Sequence, residues 1–178
     1  MNYLLNQIGY LGPITLLILI LVMISTTNQA HNIYLYMYVI AWQVLNHFSN
    51  IVIKNTLKHP RQDSTLNKDF KLLTPTMYNY FSIHRNFGMP SGHAQQVFSE
   101  LTFITLYFRN PIITTISIIQ SCITLWQRYS TRRHSIKQLA VGSLIGILSG
   151  VIFYKITPFI INDNGINGIT GKIETIKV

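Results

Sequence analysis

LLILILVMI, running from Leu16 to Ile24, contains no charged or strongly polar side chain. The apolar run around it extends from Ile8 to Ser25, close to the roughly 20 residues an α-helix needs to cross a bilayer. No basic residue precedes it, and the flank Thr26-Thr27-Asn28-Gln29 is a poor signal-peptidase site, so it reads as a retained span rather than a leader. Outward from it lie four more runs of similar character, Asn32 to Ile53, Ser91 to Phe108, Pro111 to Trp126 and Leu139 to Ile156. Tyr34, Tyr36 and Tyr38 stand near one end of the second run, as in an interfacial aromatic belt. Gly142, Gly146 and Gly150 recur every four positions in the last, a spacing that lets helix backbones approach closely. The pattern predicts an all-α polytopic membrane bundle of about five transmembrane helices. An extramembrane loop is expected over 55–89. Residues 1–157 would form one membrane domain and 158–178 a polar C-terminal tail.

Composition agrees with a bilayer as solvent. The chain is 48% hydrophobic and 11% charged, with a mean hydropathy of +0.29, whereas soluble domains carry about 25% charged residues. The net charge of +9 comes from 14 basic and 5 acidic residues, and none of them precedes Lys54. The basic residues gather between Lys54 and Arg85 and between Arg128 and Lys137, with long apolar runs between. Discrete basic patches at the ends of apolar segments suit membrane lipids and an anionic headgroup, and argue against nucleic acid as a partner. The single cysteine, Cys122, excludes an intramolecular disulfide.

Crossing the bilayer five times places three polar clusters on one face. In the first, Lys54 and Arg61 are seven residues apart, two helical turns, and so can project to one side as a pair of phosphate-binding cations. The second is Gly88-Met89-Pro90-Ser91-Gly92-His93-Ala94-Gln95. There Pro90 is expected to open a helix, the Ser91 and Gly92 N–H groups to face an anion, and His93 to hand a proton to a leaving oxygen. The third holds Arg128 and His134, with Gln138 one helical turn beyond the histidine and able to reach its ring. The five acids, Asp63, Asp69, Glu100, Asp163 and Glu174, form no ligand set, so no metal and no cofactor are expected. Glu100 lies on the His93 face inside a span, but is left outside the catalytic set.

The three clusters resemble the phosphatidic acid phosphatase type 2 superfamily, whose pattern is Lys-x6-Arg-Pro, Pro-Ser-Gly-His and Ser-Arg-x5-His-x3-Asp. Here the matching residues are Lys54 and Arg61, Pro90 to His93, and Arg128 and His134, in order across about residues 54–138. Gln62, Gln127 and Gln138 stand where the pattern has proline, serine and aspartate. The second cluster with a glutamine at 138 is similar to dolichyl-diphosphatase-like members. The resemblance implies a metal-independent lipid phosphatase, with a polyprenyl diphosphate favoured as substrate, in an internal membrane such as the endoplasmic reticulum. It implies that His134 attacks phosphorus to form a phosphohistidine and that His93 protonates the leaving oxygen and later activates water. Lys54, Arg61, Ser91, Gly92 and Arg128 would bind phosphate, and Gln138 would orient His134. The alternative is a family member without catalysis that serves as a lipid-binding or scaffold protein.

Overall fold

The computed structural model describes residues 2–26, 32–60 and 87–162. Arg61 and Gln62, most of the 55–89 loop and the tail from residue 163 lie outside the described residues. The described residues form six helices: α1 (Asn2–Tyr10), α2 (Gly12–Thr26), α3 (Asn32–Leu57), α4 (Gly92–Phe108), α5 (Pro111–Ser130) and α6 (Ile136–Asn162). Among the described residues there is no strand, only an isolated antiparallel bridge between Pro60 and Phe87. The protein is all-α, as its apolar runs predict.

The first run differs from the expected single span. It is broken at Leu11 into α1 and α2, which meet at a bend of 58°. Pro13 has no N–H for the Gly9 carbonyl, so the ladder cannot continue through it. Gln120 on α5 takes over the Ile8 carbonyl through its Nε2 at 2.9 Å. Gly9 and Gly12 let the bend lie directly on α5. A methyl group at Gly9 would come within 2.5 Å of the Gln127 Cβ, and one at Gly12 would strike Thr124.

The other boundaries also have local causes. α3 runs past the expected Ile53 to Leu57 and stops where Lys58 takes a left-handed φ of 45°, so Lys54 lies in a helical turn and the loop begins later than residue 55. Asn110 caps α5 by accepting from the Ile112 and Ile113 N–H groups at 3.0 and 3.2 Å. α6 continues beyond residue 157, through Pro158, to Asn162.

α4 and α6 pack backbone against backbone. The three α6 glycines face successive turns of α4: a methyl at Gly142 would stand 2.6 Å from the Ser91 carbonyl oxygen and one at Gly150 2.5 Å from that of Ser99, while Gly146 meets the Gln95 carbonyl. An apolar cluster that includes Leu16, Ile20, Leu35, Val39, Phe103 and Phe153 fills one end of the bundle. The opposite end and the middle hold polar side chains. Gln95 donates to the Asn46 Oδ1 at 2.8 Å and accepts from Asn50 at 2.8 Å, and Ser149 donates to Asn46 at 3.0 Å.

Large apolar side chains face outward instead, among them Ile14, Ile18, Met37, Val44, Leu144 and Leu148. Among the described residues one helix segment, Ile136–Ile160, is long and apolar enough by itself to cross a membrane, and α1 with α2 qualifies as a bent pair. The other expected spans fall short on length or composition. In α3 the cause is the inward row of Gln43, Asn46 and Asn50, which serves the polar interior.

Candidate active site

His134 sits in the short connection from α5 to α6. That connection folds back on the end of α5, with the Arg133 and His134 N–H groups donating to the Arg128 carbonyl at 3.1 and 3.3 Å and Arg132 taking a left-handed φ of 52°. The imidazole is 1% exposed. Its Nδ1 lies 3.0 Å from the Gly88 carbonyl oxygen and 3.2 Å from Gln138 Oε1. Both are acceptors, so the proton belongs on Nδ1 and the lone pair on Nε2.

The Gln138 amide orientation is fixed by its other partners. Oε1 also accepts from the Ser135 N–H at 3.2 Å, and Nε2 donates to the Pro60 carbonyl at 2.9 Å. The Gln138 N–H returns to Ser135 Oγ at 3.3 Å, completing a reciprocal capping box at the start of α6. Gln138 therefore reaches His134 as expected, but by another route. His134 precedes the helix, and the link is the cap rather than a helical turn. The Ser135-x-x-Gln138 spacing was a readable signal for this.

Ser91 departs from its expected role. It is the N-cap of α4, its Oγ facing the Ala94 N–H at 3.5 Å, and its own N–H donates to the Gln138 carbonyl at 3.1 Å. That N–H is engaged and cannot serve as an anion donor. The first-turn N–H groups of Gly92 and His93, which have no intrahelical acceptor, remain for that purpose. Pro90 precedes the cap instead of opening the helix, across a cis Met89–Pro90 bond. Gly92 packs closely on Asn50, where a methyl group would lie 3.2 Å from the amide Oδ1 and ask it to shift slightly.

His93 is half-buried in the first turn of α4, with the Tyr10 ring 5.4 Å away, centroid to centroid, at 41°. Arg128, His134, Lys54 and Arg133 all act electrostatically on His93. Lys54 on the last turn of α3 and Arg128 on the last turn of α5 are buried, 7% and 4% exposed. The fold thus brings Lys54, Gly92, His93, Arg128, His134 and Gln138 to one end of the bundle. Arg61 lies outside the described residues, and α3, which carries Lys54, ends at Leu57. Among the described residues no group of three or more His, Cys, Asp or Glu side chains could hold a metal ion.

Glu100 lies two turns deeper on α4, accepting from Gln43 at 2.9 Å and Gln96 at 3.1 Å. Sequence reasoning missed the Gly88 carbonyl, Asn50 and Tyr10. The first and second act through hydrogen bonding and packing across distant segments, which no local spacing reveals. Tyr10 had one faint signal, its place just before the Gly12-Pro13 break.

The PAP2 superfamily model matches residues 16–161. The chain belongs to the PAP2 superfamily. It is also 30% identical over 106 residues to Dolichyldiphosphatase 1 of Dictyostelium discoideum, a match that covers 53% of this chain and 46% of that protein. The chain therefore spans less than half the length of that PAP2-type relative. No solved structure matches this chain.

Proposed function

We propose that this PAP2 superfamily protein is a multi-pass membrane phosphatase that hydrolyses a lipid phosphate or diphosphate. The observation that carries the proposal is the His134 ring, buried and held at Nδ1 by Gly88 and Gln138, at the end of the bundle that also carries His93, Lys54 and Arg128. Such a ring aims Nε2 at phosphorus. His134 Nε2 forms the bond to phosphorus as the bond to the leaving oxygen breaks, and His93 gives that oxygen its proton. His93, now neutral, takes a proton from water, whose oxygen displaces His134 and releases inorganic phosphate. Lys54, Arg128 and the Gly92 and His93 N–H groups face the charge on the equatorial oxygens, with Arg61 proposed as a further phosphate ligand. The chemistry needs no metal in this proposal.

The outward apolar side chains and inward amides support five membrane crossings, with α1 and α2 forming one of them. The Dictyostelium relative's name favours a polyprenyl diphosphate and an internal membrane such as the endoplasmic reticulum. The test is phosphate release by purified protein from polyprenyl diphosphate, phosphatidic acid and glucose 6-phosphate, with and without EDTA. Release from the lipid substrates that survives EDTA is expected. It should vanish in His134→Ala and fall by about a hundredfold or more in His93→Ala. Loss on chelation with recovery in magnesium, or near-normal rates in both variants, would remove this mechanism.

A further inference from the structure

The two histidines are held in different ways. His134 has an acceptor on either side of its Nδ1 proton. The His93 ring instead packs against the ring of Tyr10, tilted at 41°. We infer that Tyr10 is a positioning residue for the proton-transfer step, acting through the His93 ring; this rests on the reading of His93 as the proton donor.

Geometry and chemistry agree on this. A centroid distance of 5.4 Å at 41° is within the range of productive aromatic contacts. A residue that gives a proton and then takes one back must pass between protonation states. A carbonyl partner would lock one ring nitrogen as a donor, as Gly88 does for His134. An aromatic ring packed beside the imidazole restrains it through ring–ring contact rather than through a hydrogen bond that fixes one nitrogen, and aromatic rings accommodate both neutral imidazole and imidazolium.

The fold also fixes where Tyr10 stands. It is the last residue of α1, just before the bend, and Gly9 and the Ile8 carbonyl tie that turn to Gln127 and Gln120 on α5. Gln127 immediately precedes Arg128. The same end of α5 thus carries both a site cation and the seat for α1. Tyr10 lies outside residues 16–161, the part of the chain matched to the family, so this contact is an addition to the shared motifs.

Two soluble monoesters separate positioning from simple structural support. p-Nitrophenyl phosphate releases a weakly basic phenolate that leaves with little help, while n-octyl phosphate releases an alkoxide that needs a proton. kcat/KM for each ester covers only the steps through phosphoryl transfer, so the shared hydrolysis step does not enter. Tyr10→Ala and Tyr10→Leu are expected to lower kcat/KM on octyl phosphate by about tenfold and on p-nitrophenyl phosphate by no more than about threefold, a part of the effect of losing the acid itself. On octyl phosphate the change should lie in kcat rather than KM. Tyr10→Phe, which keeps the ring, should recover most of the loss. His93→Ala, measured alongside, should show the same selectivity more strongly. Equal slowing of both esters by the Tyr10 variants, or slowing of neither, would overturn the assignment while leaving the role of His93 intact. A His93→Ala variant with no leaving-group selectivity would instead remove the reading of His93 and the inference with it.

Discussion

Removing Gln138 tests how the site is held together, because this one residue touches all three polar clusters. Its carbonyl accepts from Ser91 at 3.1 Å, its Oε1 meets His134 Nδ1 at 3.2 Å, and its Nε2 donates to Pro60, just before Arg61, at 2.9 Å. Gln138→Ala leaves the backbone bond to Ser91 and removes the other two, along with half of the Ser135 capping box. Loss of a partner that orients a histidine lowers activity by about ten- to a hundredfold. The Gly88 carbonyl still holds the Nδ1 proton at 3.0 Å, so the lower end, about tenfold in kcat with KM little changed, is expected. The lost neutral hydrogen bonds are worth about 1 kcal/mol each, giving about 2–3 kcal/mol of lost stability. Gln138→Asp separates the two functions. Its carboxylate can still support His134 but has no N–H for the Pro60 carbonyl, so kcat should stay within about threefold of wild type while stability falls by at least the one lost bond, about 1 kcal/mol. The assay is initial-rate phosphate release together with residual activity after graded heating. Wild-type kinetics in Gln138→Ala would show that His134 does not depend on it. Full thermal resistance in Gln138→Asp would show that the Pro60 bond contributes nothing.

Gly142→Ala and Gly150→Ala both force a methyl group into an α4 carbonyl and should each reduce thermal stability by about 1–3 kcal/mol. Only the first pushes on Ser91, so phosphate release at low temperature should fall in Gly142→Ala and hold in Gly150→Ala; the same rates in both would remove the link between this packing and the site. The protein should stay with the membrane fraction after an alkaline carbonate wash, as the proposed five crossings require, and its release into the supernatant would contradict the multi-pass reading.

The helical class and the approximate extents of the helices were legible because apolar runs this long have few other uses. The break at Leu11 was not, although Gly12 and Pro13 were in view. Whether a proline bends a run or merely begins a helix depends on what donates to the carbonyls at the break, and here the Ile8 carbonyl accepts from Gln120, distant in sequence. The candidate site residues Lys54, His93, Arg128 and His134, which the fold brings to one end of the bundle, stand out by type and spacing. Their supports could not, because a backbone carbonyl such as that of Gly88 has no side-chain signature. The role of Ser91 was misjudged for a similar reason: a serine before a helix serves equally as a cap or as part of an anion cradle, and the competing acceptor, the Gln138 carbonyl, decides between them.

Two of the glutamines that interrupt the motifs, Gln127 and Gln138, gain physical reasons from the same contacts. Gln127 occupies the motif's serine position, and its Cβ is the surface on which Gly9 rests. The motif's serine would keep that Cβ but lack the Cγ that also lies beside Gly9, so the glutamine broadens the seat of α1, which carries Tyr10 to His93. Gln138 occupies the aspartate position, and its amide does what a carboxylate cannot, accepting from Ser135 with one end while donating to Pro60 with the other. A carboxylate would offer a stronger field to a charged His134 but would set an oxygen against the Pro60 carbonyl. In this chain orientation of His134 is shared with Gly88, which lessens the need for that charge, and the donor end of the amide is used to close the neck between α3 and the Gly88 turn. At these two positions the departure from the motif thus also fastens a neighbouring element, α1 at Gln127 and the Pro60 segment at Gln138.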